Sequence, residues 1–241
     1  MADEIIVGVS DKSAIRILSA SAVRQAITGA AEAFHKRSNA NLHLQFATSG
    51  AVEKRIAAGE IFDVVAASID ALSALHEHAL LGAPSPVGSS RIALGVKDGA
   101  SAPDISTVDK FRAALLAAKQ IARGDPDGGG TAGNHLHRLL ERIRLLDVTR
   151  DKTTLRVGGY NVMKEVAEDR ADFGLTQSTE IVAVDGVGIA GWLPDDLQLV
   201  TTYAVAKGPG TPLDERAGDF YASLIDGSCA SIYAKAGFFP S

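Results

Sequence analysis

Small hydroxyl residues and glycines recur directly after the predicted strands of this 241-residue chain. They follow the segments IRIL, LHLQF, FDVVAA, KQIAR and FGL. The positions are Ser19, Ser21, Ser49, Gly50, Ser68, the loop Gly128-Gly129-Gly130-Thr131, Thr176 and Gln177. In open parallel sheets, ligands bind beyond the carboxyl ends of the strands. Hydroxyls and the N–H groups of helix N-termini can hold an anion without a cationic side chain, so the pattern predicts a small-anion site.

Two further residues are candidates for the same site. Arg91 opens a strand after Gly88-Ser89-Ser90, where it is either a surface cation or a bidentate clamp on a carboxylate. Tyr160 follows two glycines and either packs in the core or places a phenol in the cleft. A serine at any one strand end is more often an ordinary helix N-cap. The prediction therefore depends on the recurrence of such residues at five strand ends.

Other chemistries find little support in the motifs. The loop GDPDGGGTAG is not followed by Gly-Lys-Ser/Thr, and no Gly-x-Gly-x-x-Gly opens the first strand–helix unit, which argues against a nucleotide site. His135 and His137 are two residues apart, as are His76 and His78, so each pair points to different faces of a helix. We expect no metal and no cofactor. His135 stays a candidate acid or base, and the catalytic residues are unknown.

The elements that must position these residues alternate regularly along the chain. Predicted strands cover 15–18, 42–46, 62–67, 91–96, 120–123, 155–157 and 173–176; predicted helices cover 23–36, 51–58, 73–81, 107–118, 134–146, 161–168 and 220–236; a loop spans 84–86. This alternation predicts an α/β fold with mostly parallel sheets flanked by helices. An extended run at 197–206 would return the chain to the first series. We therefore predict two lobes joined by two crossings, 1–93 plus 203–241 and 94–202, with the ligand between them.

Overall composition and charge argue against several classes of binding partner. The net charge of −5 gives no general attraction to nucleic acid or to an anionic membrane. No stretch approaches the roughly 20 apolar residues of a membrane span, and the single cysteine, Cys229, excludes an internal disulfide. Asp3 and Glu4 stand where a secretory leader carries Lys or Arg. The expected location is cytoplasmic for the sequence as it stands, and periplasmic if a leader has been removed.

Four segments together resemble a known family. They are IRILSASAVRQAITGAAEAF, LQFATSGAVEKRIAAGEIFDVVAAS, ARGDPDGGGTAGNHLHRLLERI and VAEDRADFGLTQSTEI. In order and spacing they resemble the periplasmic molybdate-binding proteins of ABC transporters, which are type II periplasmic binding proteins. The resemblance implies that two-lobed fold, an oxyanion such as molybdate or tungstate as ligand, and an ABC transporter permease as partner.

The resemblance also assigns site residues, with departures. The family holds its oxyanion with a serine in each of the first two strand–helix turns, the Gly-rich loop and a late tyrosine. The second serine matches Ser49, whereas the first aligns at Ala22, one place after Ser21. Gln177 stands at the tyrosine position, and an amide that both donates and accepts suits a carboxylic acid. Some proteins similar to this branch are isomerases that interconvert cis- and trans-aconitate.

Three hypotheses follow. The first is a solute-binding protein for molybdate or a related oxyanion. The second is a receptor or isomerase for a small tricarboxylic acid, in which a base and an acid would move a proton beside a carboxylate. The third is a sensor module of a transcription regulator, although the 14 residues before Ile15 are too few for a helix-turn-helix.

Overall fold

The computed structural model describes residues 3–9, 13–208 and 215–239. The chain divides into two compact units, Met1–Ser89 with Thr201–Ser241 and Ser90–Val200. The chain therefore leaves the first unit once and returns to it once. We call them the first and the second unit.

The first unit is built on a sheet with a parallel centre. Its elements in chain order are β1 (Asp3–Val7), β2 (Ile15–Ala20), α1 (Arg24–Ser38), β3 (Leu42–Ala47), α2 (Ser49–Ala57), β4 (Val64–Ser68), α3 (Ile69–Glu77), the start of β5 (Ser85–Lys97), β10 (Val200–Lys207), α9 (Glu215–Ile225) and α10 (Ala230–Lys235). The strands β3, β2 and β4 run parallel in that spatial order. The strand β1 pairs antiparallel with β3, and β10 pairs antiparallel with β4. The carboxyl ends of the three central strands therefore lie at one edge.

The second unit repeats this plan. It contains the rest of β5, α4 (Val108–Ala117), β6 (Ile121–Gly124), α5 (Thr131–Arg142), α6 (Leu146–Thr149), β7 (Thr153–Arg156), α7 (Gly159–Ala167), β8 (Phe173–Gln177), α8 (Ser178–Ile181) and β9 (Val187–Trp192). The strands β8, β6 and β7 are parallel, whereas β5 pairs antiparallel with β8 and β9. In each unit, antiparallel strands thus flank a parallel centre.

Apolar spacing explains which face of each helix is buried. In α5, Leu136, Leu139 and Leu140 are buried and share one face of the helix. They pack with Ile121 of β6 in one apolar cluster. Ala122, the next residue of β6, belongs to a second cluster with Val162 of α7. The sheet of the second unit therefore carries α5 on one face and α7 on the other.

Several predicted boundaries were wrong. The helix predicted at 73–81 is α3, which starts at Ile69 because the chain turns into the helix directly after Ser68. Ser85 and Pro86, predicted to lie in a loop, belong to β5. The single closing helix predicted at 220–236 is two helices, separated where Gly227 takes a φ of 90° that residues with a side chain avoid.

The strands β1 and β9 were not predicted. Both are antiparallel neighbours of longer strands, and glycine at two of the six positions of β9 weakens its strand pattern. Cys229, the single cysteine, is buried. Within the described residues, no helix combines the length and the apolar character that a membrane crossing requires.

Candidate functional site

In the first unit, Ser21, Ser49 and Ser68 lie at the carboxyl edge of the parallel strands. In the parallel register, Ser19 of β2 lies opposite Phe46 of β3 and Ala66 of β4, so the three strands end at the same level. Hydrogen bonds connect these ends. The Ser21 hydroxyl donates to the carbonyl of Ala47 (3.0 Å), and the Ser68 N–H donates to Oγ of Ser49 (3.3 Å).

Ser49 and Gly50 form the first turn of α2. The N-cap is Thr48, whose hydroxyl accepts the N–H of Ala51 (3.3 Å). Ser49 is therefore not the cap, and its hydroxyl, which accepts from Ser68, keeps its own hydrogen to donate. Ser68 precedes α3, and its side chain makes no capping hydrogen bond. The arrangement places serine hydroxyls beside the positive ends of two nine-residue helices.

Ser19 stands apart from this group. It is fully buried, and its hydroxyl donates to the carbonyl of Ala20 (3.1 Å). A solute reaching the sheet edge would not contact it. We therefore leave Ser19 out of the proposed binding set.

In the second unit, the glycine-rich loop leads into α5. Asp125 caps a short 3-10 helix at Pro126–Gly128, with its carboxylate accepting the N–H of Asp127 (3.0 Å). Gly129 then takes a φ of 70°, which explains glycine at this position. Gly130 is the N-cap of α5 and Thr131 is its first residue. The predicted loop residues thus form the N-terminal end of a 12-residue helix.

Two glycines allow the N-terminal end of α5 to pack closely against β6. A Cβ on Gly124 would lie 2.9 Å from Cα of Gly133, and a Cβ on Gly133 would lie 3.0 Å from the carbonyl carbon of Gly124. Only glycine at both positions allows this approach. It brings the first turn of α5 against the carboxyl end of β6.

Arg123 lies at the same strand end and is buried, with 5% of its surface exposed. Its Nη1 donates to the carbonyl of Gly124 (3.3 Å), while Nε has no hydrogen-bond partner among the described residues. Burial lowers the pKa of Arg123, and the charge of Asp125 opposes that shift.

The N-terminal end of α7 is occupied by a carboxylate from the chain itself. Glu180 is buried; it accepts the N–H of Gly159 (2.8 Å) and the hydroxyl of Thr176 (2.6 Å). The N–H groups of Tyr160 and Gln177 also donate to it. Burial raises the pKa of Glu180, and these hydrogen bonds oppose the rise. Any side chain at position 159 would collide with Glu180, which explains glycine there.

The remaining predicted residues take different positions. Thr176 is buried, and its hydroxyl donates to the carboxyl group of Glu180. Gln177 is buried at the end of β8, on the sheet face that also carries Leu175. The Tyr160 ring is half-buried, with Nζ of Lys164 4.8 Å from its centroid. Arg91 is exposed on β5.

Sequence reasoning did not single out Arg123, Glu180 or Thr179, whose buried hydroxyl has no partner among the described residues. A signal for Arg123 was present, because an arginine ends an otherwise apolar strand just before a glycine loop. Glu180 lies within the quoted LTQSTE segment, but its contact with Gly159 joins residues 21 apart in the sequence. The sequence gives no sign of that contact.

A family model and a curated relative match most of the chain. Residues 15–239 match the model of the bacterial extracellular solute-binding protein family. An aconitate isomerase of Pseudomonas sp. is 31% identical over 199 residues, which span 80% of this chain and 74% of that protein.

Solved structures show the same fold. The periplasmic molybdate-binding protein of Azotobacter vinelandii superposes with a TM-score of 0.73 at 16% identity, covering 94% of this chain and 99% of that one. PEB3 of Campylobacter jejuni, in its complex with L-phospholactate, gives a TM-score of 0.69 at 15% identity, covering 94% and 100%. The predicted type II periplasmic-binding-protein fold is confirmed. The chain belongs to the bacterial extracellular solute-binding protein family.

Proposed function

We propose that this solute-binding protein takes a small anion, either a molybdate-like oxyanion or a small carboxylic acid, and presents it to an ABC transporter permease. The observation that carries the proposal is the group of Ser21, Ser49 and Ser68 at one sheet edge, beside the N-termini of α2 and α3. Because the chain has a net charge of −5, attraction of an anion must come from such local donors.

The proposed binding set has two parts. In the first unit it comprises Ser49, Gly50 and Ser68, which lie beside Ser21, whose hydroxyl hydrogen is already donated to the carbonyl of Ala47. In the second unit it comprises Gly130 and Thr131 at the start of α5. Hydroxyls and helix N–H groups of this kind favour a small anion over a neutral or cationic solute. Arg91, Tyr160, Thr176 and Gln177 stay predictions as ligand contacts.

A thermal-shift panel tests the proposal. It compares molybdate, tungstate, sulfate, phosphate, citrate and both aconitates on the wild-type protein. A ligand at 100 times its dissociation constant should stabilise the protein by about 2.7 kcal/mol. If no anion in the panel raises the melting temperature, the proposal is wrong.

Two serine variants make the panel specific to the site. We expect Ser49→Ala to weaken the best anion by about 1 kcal/mol, roughly fivefold, through loss of one hydroxyl donor. Ser38→Ala is the matched control, because the Ser38 hydroxyl donates to the carbonyl of Phe34 at the end of α1 (2.8 Å). Equal anion affinity in the two variants would remove Ser49 from the site.

A second candidate function is isomerisation of a small tricarboxylic acid, favoured by the identity with an aconitate isomerase. The reaction removes a proton beside a carboxylate and returns one elsewhere. We assign no catalytic base. The buried Glu180 carboxyl group already accepts hydrogen bonds from Gly159 and Thr176, and Nε2 of His135 already donates to the carbonyl of Leu197 (2.8 Å). Proton NMR of each aconitate in D₂O decides the matter. Conversion or deuterium uptake supports an enzyme, whereas binding without either supports a receptor.

A further inference from the structure

Arg123 is a buried cation that forms no ion pair among the described residues, although the charge of Asp125 acts on it from two residues further along the chain. Its guanidinium makes one hydrogen bond, from Nη1 to the carbonyl of Gly124, and takes part in none of the ion pairs. Nε is buried and unpartnered among those residues. The edge of the guanidinium formed by Nε and Nη2 therefore faces no acceptor of the described chain.

Such an arrangement is costly unless an anion is bound. Removing a charge from water carries a penalty that only pairing and hydrogen bonding recover. The same unit satisfies its other buried charged groups, since Glu165 pairs with Arg156 and Arg170 and Glu180 receives its donors from neighbouring residues. Arg123 is the exception among the charged side chains buried in the described part of this unit.

The position of Arg123 directs its charge toward the start of α5. On β6 it follows the pattern of Ile121, which points to the face covered by α5. Its bond to the Gly124 carbonyl draws the guanidinium toward the carboxyl end of the strand. Gly124 contacts Gly133 in the first turn of α5. Gln177, at the end of the adjacent strand β8, projects from the same face of the sheet.

We propose that Arg123 recognises a carboxylate of the ligand, and that the solute is therefore an organic acid rather than a tetrahedral metal oxyanion. The proposal rests on the anion-binding function above and narrows it. The Nε–Nη2 edge presents two parallel N–H donors, which match the two coplanar oxygens of a carboxylate. The aconitate isomerase relative and the phospholactate complex of PEB3 are both associated with carboxylic acids by name.

Isothermal titration calorimetry tests the proposal on the full chain. The wild-type protein, Arg123→Met and Arg123→Lys are each titrated with citrate, cis-aconitate, trans-aconitate, phospholactate, molybdate and sulfate. Arg112→Met is the matched control, because Arg112 of α4 is half-buried and donates to the carbonyl of Ile143 (2.5 Å). Melting temperatures without ligand are measured for all four proteins.

We expect the wild-type protein to prefer a carboxylate. Arg123→Met should weaken that ligand at least about 10-fold, the loss typical of a hydrogen-bonded charge. Arg123→Lys should weaken it less, since the charge stays while the paired donors are lost. Without ligand, Arg123→Met should melt at the same temperature or higher, because a buried unpaired charge has been removed. Arg112→Met should melt lower and bind as well as wild type.

Each contrary outcome has a distinct meaning. If the wild-type protein binds none of these anions, the proposed function fails and the role of Arg123 falls with it. If it binds a carboxylate and Arg123→Met binds equally well, only the role of Arg123 is overturned. If the wild-type protein prefers molybdate or sulfate, the role of Arg123 is also overturned, while the proposed anion-binding function stands. Should Arg123→Met fail to fold, the cation is structural, and undiminished binding by Arg123→Lys would confirm that result against the proposal.

Discussion

The second unit contains two helix N-termini at the same kind of position, and the protein treats them in opposite ways. At α7, the chain supplies its own carboxylate, Glu180, which accepts the N–H of Gly159 and the hydroxyl of Thr176. At α5, the nearby charged groups are Arg123, a cation that forms no ion pair among the described residues, and Asp125, whose charge acts on it without pairing. The N-terminus of α7 is occupied by an internal carboxyl group, whereas the N-terminus of α5 lies near a cation that forms no ion pair among the described residues.

The difference indicates where structural and ligand-binding roles separate. A helix N-terminus and an anion stabilise each other whether or not the anion belongs to the chain. Where the anion is internal, the contact stabilises the fold at all times. Where it must come from solution, the same contact contributes only when a ligand is bound. We therefore expect substitutions at α7 to change stability and substitutions at α5 to change affinity.

The largest effect on stability is expected at the N-terminus of α7, which Glu180 occupies. Glu180→Ala removes the acceptor of several buried donors and should lower the free energy of unfolding by about 3 kcal/mol. Urea denaturation followed by circular dichroism measures the loss. Glu168→Ala is the control, because Glu168 pairs with Arg170 at the surface, where such a pair contributes at most about 1 kcal/mol.

A small carboxylate sharpens this test. Formate fits the space vacated by the Glu180 side chain and should restore part of the stability of Glu180→Ala, without an equal effect on the wild-type protein. A loss below about 1 kcal/mol would mean that these donors find other acceptors. The contrast between the two helix ends would then be wrong.

An intermediate effect is expected where β6 meets α5. Gly124→Ala places a methyl group 2.9 Å from backbone Cα of Gly133, and the strain should cost about 2 kcal/mol. Because the helix end must move away from Arg123, ligand affinity should fall as well. Gly218→Ala, on α9 with open space around it, should be neutral or stabilising. Calorimetry and urea denaturation on both variants check this, and an unchanged affinity in Gly124→Ala would separate the α5 end from the site.

The fold could be predicted largely from local patterns. Alternating strands and helices gave the α/β class, and apolar spacing placed α1 and α5 within a few residues of their ends. Errors arose where a pattern was interrupted. β9 is glycine-rich, and the closing segment remained apolar enough to suggest one helix although Gly227 breaks it. Such turns depend on a single backbone angle.

The candidate site could be predicted only in part, for a physical reason. Local rules identify hydroxyls and glycines after strands, and Ser49 and Thr131 do begin helices. Whether a donor is already used depends on contacts between distant segments. The Thr176 hydroxyl donates to the carboxyl group of Glu180, and the Ser21 hydroxyl donates to the carbonyl of Ala47 in the adjacent strand β3. The sequence singled out Arg91 as the cation, but Arg91 is exposed and Arg123 is the buried one.

The smallest effect concerns the buried glutamate that has its own cations. Hydrogen bonds from Arg170, and then from Arg156, lower the pKa of Glu165 from 4.5 to about 2. A lowered pKa stabilises the folded state above the unfolded value, so this contribution is complete above about pH 4.5 and is lost as the pH falls toward 2. Since both guanidinium groups are about half exposed, solvent screening limits it to about 1 kcal/mol. Glu165→Gln should lower stability by that amount at pH 7 and by progressively less below pH 4.5, as urea denaturation across this range would measure. A constant difference at every pH would show that Glu165 acts through packing, and the contrast with unpaired Arg123 would then lose its electrostatic basis.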